Sequence, residues 1–138
     1  MRNIKLVFAF CIMLSVVTPV GCSDDVAPET AAEVSAEVTT ITALEAELMM
    51  RNDDVIIIDV RNQDEFEQGH IPGAILLPAP GIRENAERLF PDKDQVILVY
   101  CRSGARSAAA ARELVSLGYT AVFDFGGILS WHGEIVGR

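Results

Sequence analysis

Residues 96–107 read Val-Ile-Leu-Val-Tyr-Cys-Arg-Ser-Gly-Ala-Arg-Ser, and their order decides the fold. The unbroken apolar run Val96 to Tyr100 has the pattern of a strand covered on both faces, as in a parallel sheet. Ala108 to Leu117 follows as a helix by propensity, ended by Gly118. The residues between must turn sharply, and Gly104 supplies the permissive backbone for the turn. A buried strand, a tight glycine turn and a helix make one repeat of a layered α/β domain.

The texture recurs on either side. Thr42 with Glu45 three residues on is a capping-box signature, predicting a helix through Met50 with Leu44, Leu48 and Met49 on one face. Asn52-Asp53-Asp54 breaks it. Val55 to Ile58 is a second doubly buried strand. Asn62 and Glu65 start another capped turn, ended by Gly69, and His70 to Ala74 form a turn before a short strand at Ile75 to Leu77. Residues 81–90 read as helical, with Ile82, Ala86, Leu89 and Phe90 facing inward. Thr120 to Phe123 is a further strand, and Gly126-Gly127 opens a last short helix carrying Trp131. Strands alternating with helices predict a single three-layer α/β domain over residues 39–138, with a mostly parallel sheet and helices on both faces. Ligands in such sheets sit at the carboxyl ends of the strands. Cys101 is at one.

The charge balance excludes a nucleic-acid partner. The 138 residues carry a formal charge of −9. Residues 1–21 remove Arg2 and Lys5 from this balance and no acid. Nucleic-acid binders displace counterions with clustered Lys and Arg, and no such patch exists here. The three cysteines, Cys11, Cys22 and Cys101, are too few and too scattered for a disulfide framework. No C-x-x-C or Cys/His cluster suggests a metal, and no cofactor is expected.

Residues 1–21 read as a signal peptide. Met-Arg-Asn-Ile-Lys is a short positive start, and the apolar stretch Leu6 to Val17 is shorter than the about 20 residues that cross a bilayer. Gly21-Cys22 after it resembles a bacterial lipobox, with Cys22 as the lipidated residue. Pro19 departs from the leucine usual three places before that cysteine. Residues 22–38 read as an acidic flexible tether with too little apolar surface to fold. The expected location is the periplasmic or outer-surface side of a bacterial membrane, held there by the lipid anchor.

The chemistry resides in the loop after Tyr100. Amide N–H groups of a tight turn and of a helix N-terminus point inward together and make an anion cradle. A thiol at its head is stabilised as the thiolate, which is the nucleophile. Arg102 and Arg106 add positive charge. Attack by Cys101 on the outer sulfur of a small anionic donor such as thiosulfate gives a persulfide, whose terminal sulfur the same amides would hold. A small thiol, cyanide or a thioredoxin-like acceptor then removes it. No general base is needed, and neither His70 nor His132 has a spacing that forces it beside Cys101. A buried, inert cysteine is the usual fate of a lone Cys, but its place at a strand end in a Gly- and Arg-bearing loop argues for reactivity. Phosphate-ester hydrolysis and arsenate reduction use a related loop, with five residues between Cys and Arg where this chain has four. The smaller ring of amides suits one sulfur atom better than a tetrahedral phosphate. A non-enzymatic persulfide carrier or a sulfide- or redox-sensing module is the remaining alternative.

Several segments together resemble the rhodanese-like family, specifically its small single-domain bacterial sulfurtransferases. They are Ile58-Asp59-Val60-Arg61 with Glu65-Phe66, Gly69 to Ala74, Cys101 to Ser107, Gly118-Tyr119, and Gly126-Gly127 before Trp131. The resemblance covers about residues 39–138. It implies a five-stranded sheet, persulfide formation on Cys101, and coordination of the substrate by Arg102, Ser103, Gly104, Ala105 and Arg106. Asp59, Arg61, Glu65 and His70 are expected to support the site rather than touch substrate, through an ion-pair and capping network.

Overall fold

A computed structural model describes residues 36–52 and 54–137. The expected signal peptide, Cys22 as the expected lipidated residue and most of the expected tether lie outside the described residues.

Five strands form one sheet. They are β1 (Thr39–Thr40), β2 (Val55–Asp59), β3 (Ile75–Leu76), β4 (Val96–Cys101) and β5 (Val122–Gly127). Their spatial order is β1-β5-β4-β2-β3, and every strand pairing is parallel. The helices are α1 (Ala43–Asn52), α2 (Gln63–Glu67), α3 (Ile82–Leu89) and α4 (Ala105–Ser116). Short 3-10 turns occupy Ala79–Gly81 and Ile128–Ser130.

The strand alternation divides the core into two layers. Ile57, Leu98, Tyr100 and Phe125 point to the side that Ala46 of α1 covers. Ile58, Ile97, Val99, Cys101 and Val122 point to the other, against Ile82 and Ala86 of α3 and Ala110, Ala111 and Leu114 of α4. Neighbours in sequence serve opposite layers because strand side chains alternate, so the central strands are apolar at every position. Each fully buried aliphatic side chain contributes about 1.5–3 kcal/mol of transfer free energy. The central strands β4, β2 and β5 therefore form the rigid floor under the residues at their carboxyl ends.

Several local expectations are corrected. Leu44 and Leu48 are exposed; α1 instead packs through Ala46, Met49 and Met50, the small Ala46 letting the helix approach the sheet. Leu89 is also exposed, because the chain leaves α3 at Phe90, whose ring takes the buried place. Leu77 is buried but lies past the end of β3. The fifth strand begins at Val122 rather than Thr120 and runs through Gly126-Gly127, which therefore close a strand instead of opening a helix. The two-residue β1 has no apolar signal of its own: Thr39 and Thr40 are exposed and gain their conformation by pairing with Phe123 and Asp124. Helix α4 starts at Ala105, so the turn after Cys101 is shorter than the sequence suggests.

Candidate functional site

Cys101 is the last residue of β4, and only Arg102, Ser103 and Gly104 separate it from α4. A turn this tight needs a left-handed residue, and Gly104 supplies it with φ at 107°. Its N–H then donates to Cys101 Sγ at 3.1 Å. The residue is 1% exposed, so the sulfur lies at the base of the loop. Burial by itself would raise the thiol's pKa. The backbone amides of Ser107, Gly104 and Ser103 outweigh it, and the net shift is downward from the ordinary 9.0. The Ser107 hydroxyl contributes less than these amides; it lies 2.9 Å from Gly104 O and 3.0 Å from Gly126 O. Cys101 is the free cysteine among the described residues, and no group of three or more metal-ligating side chains occurs among them.

The two arginines of the loop have different surroundings. Arg106, on the first turn of α4, donates from Nη1 and Nη2 to the two carboxylate oxygens of Glu65 at 2.7 and 2.9 Å. That pair holds Glu65 well below the usual carboxylate range, at about 2. Glu65 also accepts the N–H of Asn62 at 3.2 Å, so one side chain closes the start of α2 and clamps α4 to it. Arg102 is exposed and has no ion-pair partner among the described residues. Ser103 is exposed in the turn and Ala105 opens α4.

Asp59 and Arg61 form a buried pair beneath the neighbouring loop. The Arg61 backbone N–H, Nε and Nη2 all donate to the Asp59 carboxylate, the closest at 2.6 Å. Nη2 also donates to Gly69 O at 2.8 Å, tying the end of β2 to the end of the α2 segment. The guanidinium lies 5.7 Å from the centroid of the Tyr100 ring, whose hydroxyl accepts the Ile71 N–H at 3.2 Å. Burial, with Asp59 beside it, keeps that phenol neutral by raising its pKa. His70 is held by its own segment: its ring stacks on Phe66 with centroids 3.7 Å apart, and Nδ1 donates to Phe66 O at 2.9 Å. Asp59, Arg61, Glu65 and His70 are thus each engaged with protein groups, while Arg61 and Glu65 also reach the wall of a cleft.

That cleft, about 310 Å3 in volume, is bounded by Arg61, Glu65, Gln68 and Arg102 on its polar side and by Ile128, Leu129, Trp131 and Ile135 on its apolar side. Cys101 does not line it, but the next residue, Arg102, does. A larger cavity of about 470 Å3, between residues 36–40 and α4, is bordered by Arg112 and Asp124 and, among the described residues, by no cysteine.

Three contributors escape sequence reasoning. Gly127 lies opposite Cys101, and a Cβ there would come within 2.3 Å of Arg102 O. Leu129, 68% exposed at the cleft rim, donates its N–H to the same Arg102 carbonyl at 3.3 Å. Asp124 accepts the Gly126 N–H at 2.9 Å. The paired glycines are the visible signal for the first; the other two depend on which strand lies beside β4.

The rhodanese-like domain model matches residues 42–134. The chain belongs to this family. A thiosulfate sulfurtransferase, GlpE, of Coxiella burnetii is 37% identical over 92 residues, covering 66% of this chain and 84% of that one. The thiosulfate sulfurtransferase PspE of Escherichia coli is 38% identical over 71 residues, 51% of this chain and 68% of that one. Among solved structures, a rhodanese-like domain protein from Staphylococcus aureus superposes with a TM-score of 0.65 at 31% identity, covering 72% of this chain and 98% of that one. An Escherichia coli rhodanese solved with anions superposes at 0.59 with 33% identity, covering 62% of this chain and all of that one. The rhodanese-like fold and family membership in the sulfurtransferases follow.

Proposed function

We propose that this rhodanese-like protein transfers sulfane sulfur from a small anionic donor such as thiosulfate to a thiol or cyanide, through a persulfide on Cys101. The observation that carries the reading is the Gly104 N–H on Cys101 Sγ, within a ring of amides that lowers the thiol pKa despite burial.

The step balances without a base. The Cys101 thiolate attacks the outer sulfur of thiosulfate, a new S–S bond forms, the donor's S–S bond breaks, and sulfite leaves with the electron pair. The terminal persulfide sulfur carries the negative charge, and the amides of Ser103, Gly104 and Ser107 stabilise it as they stabilise the thiolate. An acceptor thiolate or cyanide then attacks that outer sulfur and restores Cys101. Arg102, exposed at the cleft and without an ion-pair partner among the described residues, draws in the anionic donor. Arg106 takes a different part: its charge is shared with Glu65, so it orients α4 and the loop while adding positive potential at Cys101.

The deep position of Sγ favours sulfur over phosphate, since the atom attacked in thiosulfate is a peripheral sulfur, whereas in a phosphate ester it is the central phosphorus. Incubation with thiosulfate should add about 32 Da, one sulfur atom, to the wild-type protein and nothing to Cys101→Ser. No adduct, with hydrolysis of an aryl phosphate instead, would sink the reading. Turnover to thiocyanate or sulfite separates an enzyme from a passive persulfide carrier.

We also propose that residues 1–21 direct export and that Cys22 is lipidated, which would leave the domain tethered to the outer side of a bacterial membrane. The support is the short apolar run and Gly21-Cys22. Metabolic labelling with a fatty acid, lost in Cys22→Ala, tests it.

A further inference from the structure

Strands β4 and β5 fall out of step beside Cys101. Val99 pairs with Asp124 and Cys101 with Gly127, so two residues of β5, Phe125 and Gly126, stand against the single residue Tyr100. This is a bulge, a device that bends a strand and re-aims the residues beyond it. Gly126 takes the extra place with φ at 83°, a left-handed conformation. Without its own ladder position, the Gly126 N–H needs another acceptor. It finds Asp124 Oδ1 at 2.9 Å.

Asp124 is 6% exposed and pairs with no cation among the described residues. A buried carboxylate with no salt bridge is expensive; Arg112 borders the same cavity without pairing with it, and nothing in the sulfur-transfer step uses Asp124. What it holds is the bulge, and the bulge is the floor of the Cys101 loop. Gly126 O faces the Ser107 hydroxyl at 3.0 Å, and the Cα of Gly126 lies 3.5 Å from where a Cβ on Gly104 would be. Gly127 presses on Arg102 O so closely that no side chain fits between. The Gly104 N–H donates to Cys101 Sγ at 3.1 Å, and the Ser107 backbone amide helps to lower that thiol's pKa. A continuous chain of contacts therefore runs from Asp124 through Gly126 to Ser107 and Gly104, and from them to the sulfur.

We propose that Asp124 is a positioning residue for Cys101: by accepting the Gly126 N–H it fixes the β5 bulge, and the bulge, through the Ser107 hydroxyl shared by Gly126 O and Gly104 O, holds the Gly104 amide on the sulfur. It touches no reacting atom. The assignment rests on Cys101 being the nucleophile and is independent of what Cys101 transfers.

The test is the pH profile of Cys101 alkylation by iodoacetamide, which reads thiolate formation and needs no sulfur donor. The charged groups around Cys101 are Arg106 of α4 with its partner Glu65 of α2, Arg102 in the turn, the Asp59–Arg61 pair at the end of β2, and Asp124 itself, which shares a cavity with Arg112 of α4 and Glu37. Electrostatics and positioning predict opposite signs. Loss of a nearby negative charge alone favours the thiolate and would move the inflection down in both Asp124→Asn and Asp124→Ala. Loss of the bulge's acceptor loosens the amides and moves it up, by about one unit, the scale of one hydrogen bond to a charged group. The expected result is Asp124→Asn at or below the wild-type inflection and Asp124→Ala above it. An inflection for a folded Asp124→Ala at or below wild type, or one for Asp124→Asn as high as the alanine variant's, overturns the proposal. Should the alanine variant not fold, hydrogen exchange on the unaltered protein decides: the Gly126 amide is expected to be protected, and free exchange overturns the assignment. A correct shift in a protein that takes no sulfur from thiosulfate would sink the sulfurtransferase reading and leave this one standing.

Discussion

Glu65 and Arg106, 41 residues apart in sequence, meet side by side through two hydrogen bonds of 2.7 and 2.9 Å. The pair joins α2, which follows β2, to the first turn of α4, which follows Cys101. The turn carrying the sulfur is therefore braced from the neighbouring β-α unit as well as from β5.

The brace should show in the acid limb of stability. The Glu65 carboxyl is depressed from 4.5 to about 2, chiefly by Arg106, so the folded state holds it ionised where the unfolded chain protonates it. Its contribution is present above about 4.5 and is lost as pH falls toward 2. Glu65→Gln should cost up to about 1 kcal/mol at neutral pH, because the pair is partly solvated. Wild type and variant should converge in urea unfolding as pH falls through that window. A difference that stays constant down to pH 2 contradicts the assignment.

Cys101 should alkylate with an inflection below 9.0, and Cys101→Ser should retain the fold while taking up no sulfur. Rapid labelling at neutral pH, where an ordinary thiol reacts slowly, is the signature. An inflection at or above 9.0 means that burial prevails over the amides.

Removing Arg61 leaves the Asp59 carboxylate buried without its counter-ion. Arg61→Ala should lose about 3–5 kcal/mol of stability. Asp59→Asn with Arg61→Met should recover much of the loss, as read by chemical denaturation. If the single and double variants are equally unstable, the pair is not what Arg61 contributes.

Arg102→Ala should raise KM for thiosulfate more than it lowers kcat, and leave the alkylation inflection near wild type. The defect should shrink as salt rises, because an exposed charge acts over about a Debye length. A fall confined to kcat would instead place Arg102 at the transferred sulfur.

Two glycines separate crowding from backbone freedom. Gly127→Ala drives a methyl to within 2.3 Å of Arg102 O, and main chain cannot swing away. It should cost about 1–3 kcal/mol, with reduced sulfur uptake. Gly73 has φ at 78° with nothing within 4 Å of a Cβ, so Gly73→Ala meets only backbone strain, about 1 kcal/mol. Thermal melting of both variants checks the order.

The parallel core is legible in Val55 to Ile58 and Val96 to Tyr100, because strands covered on both faces leave no polar alternation to misread. Cys101 is legible too, since a strand end, a glycine turn and a helix start are all written locally. Helix faces are less so: Leu44, Leu48 and Leu89 are greasy enough to be buried, yet α1 and α3 meet the sheet through Ala46, Ile82 and Ala86, where small or well-placed side chains allow close approach. The start of α4 at Ala105 depends on a left-handed Gly104 that shortens the turn. The surroundings of the loop are legible only in the paired glycines 126 and 127, and not in what they touch. Gly127, Leu129 and Asp124 matter because β5 lies beside β4, with no strand between them, and that neighbour relation is non-local.

The cradle around Cys101 consists of main-chain N–H groups, which every amino acid except proline supplies. Activation of the sulfur is thus written in shape and only weakly in side-chain identity. Ser103 and Ala105, exposed on the outer side of the loop, should accept broad substitution in a saturation library selected for thiol reactivity. Gly104, Gly126 and Gly127 should accept almost none, although none of them has a functional group. Tolerance would then run opposite to chemical content, with the residues least able to react being the ones that cannot be replaced.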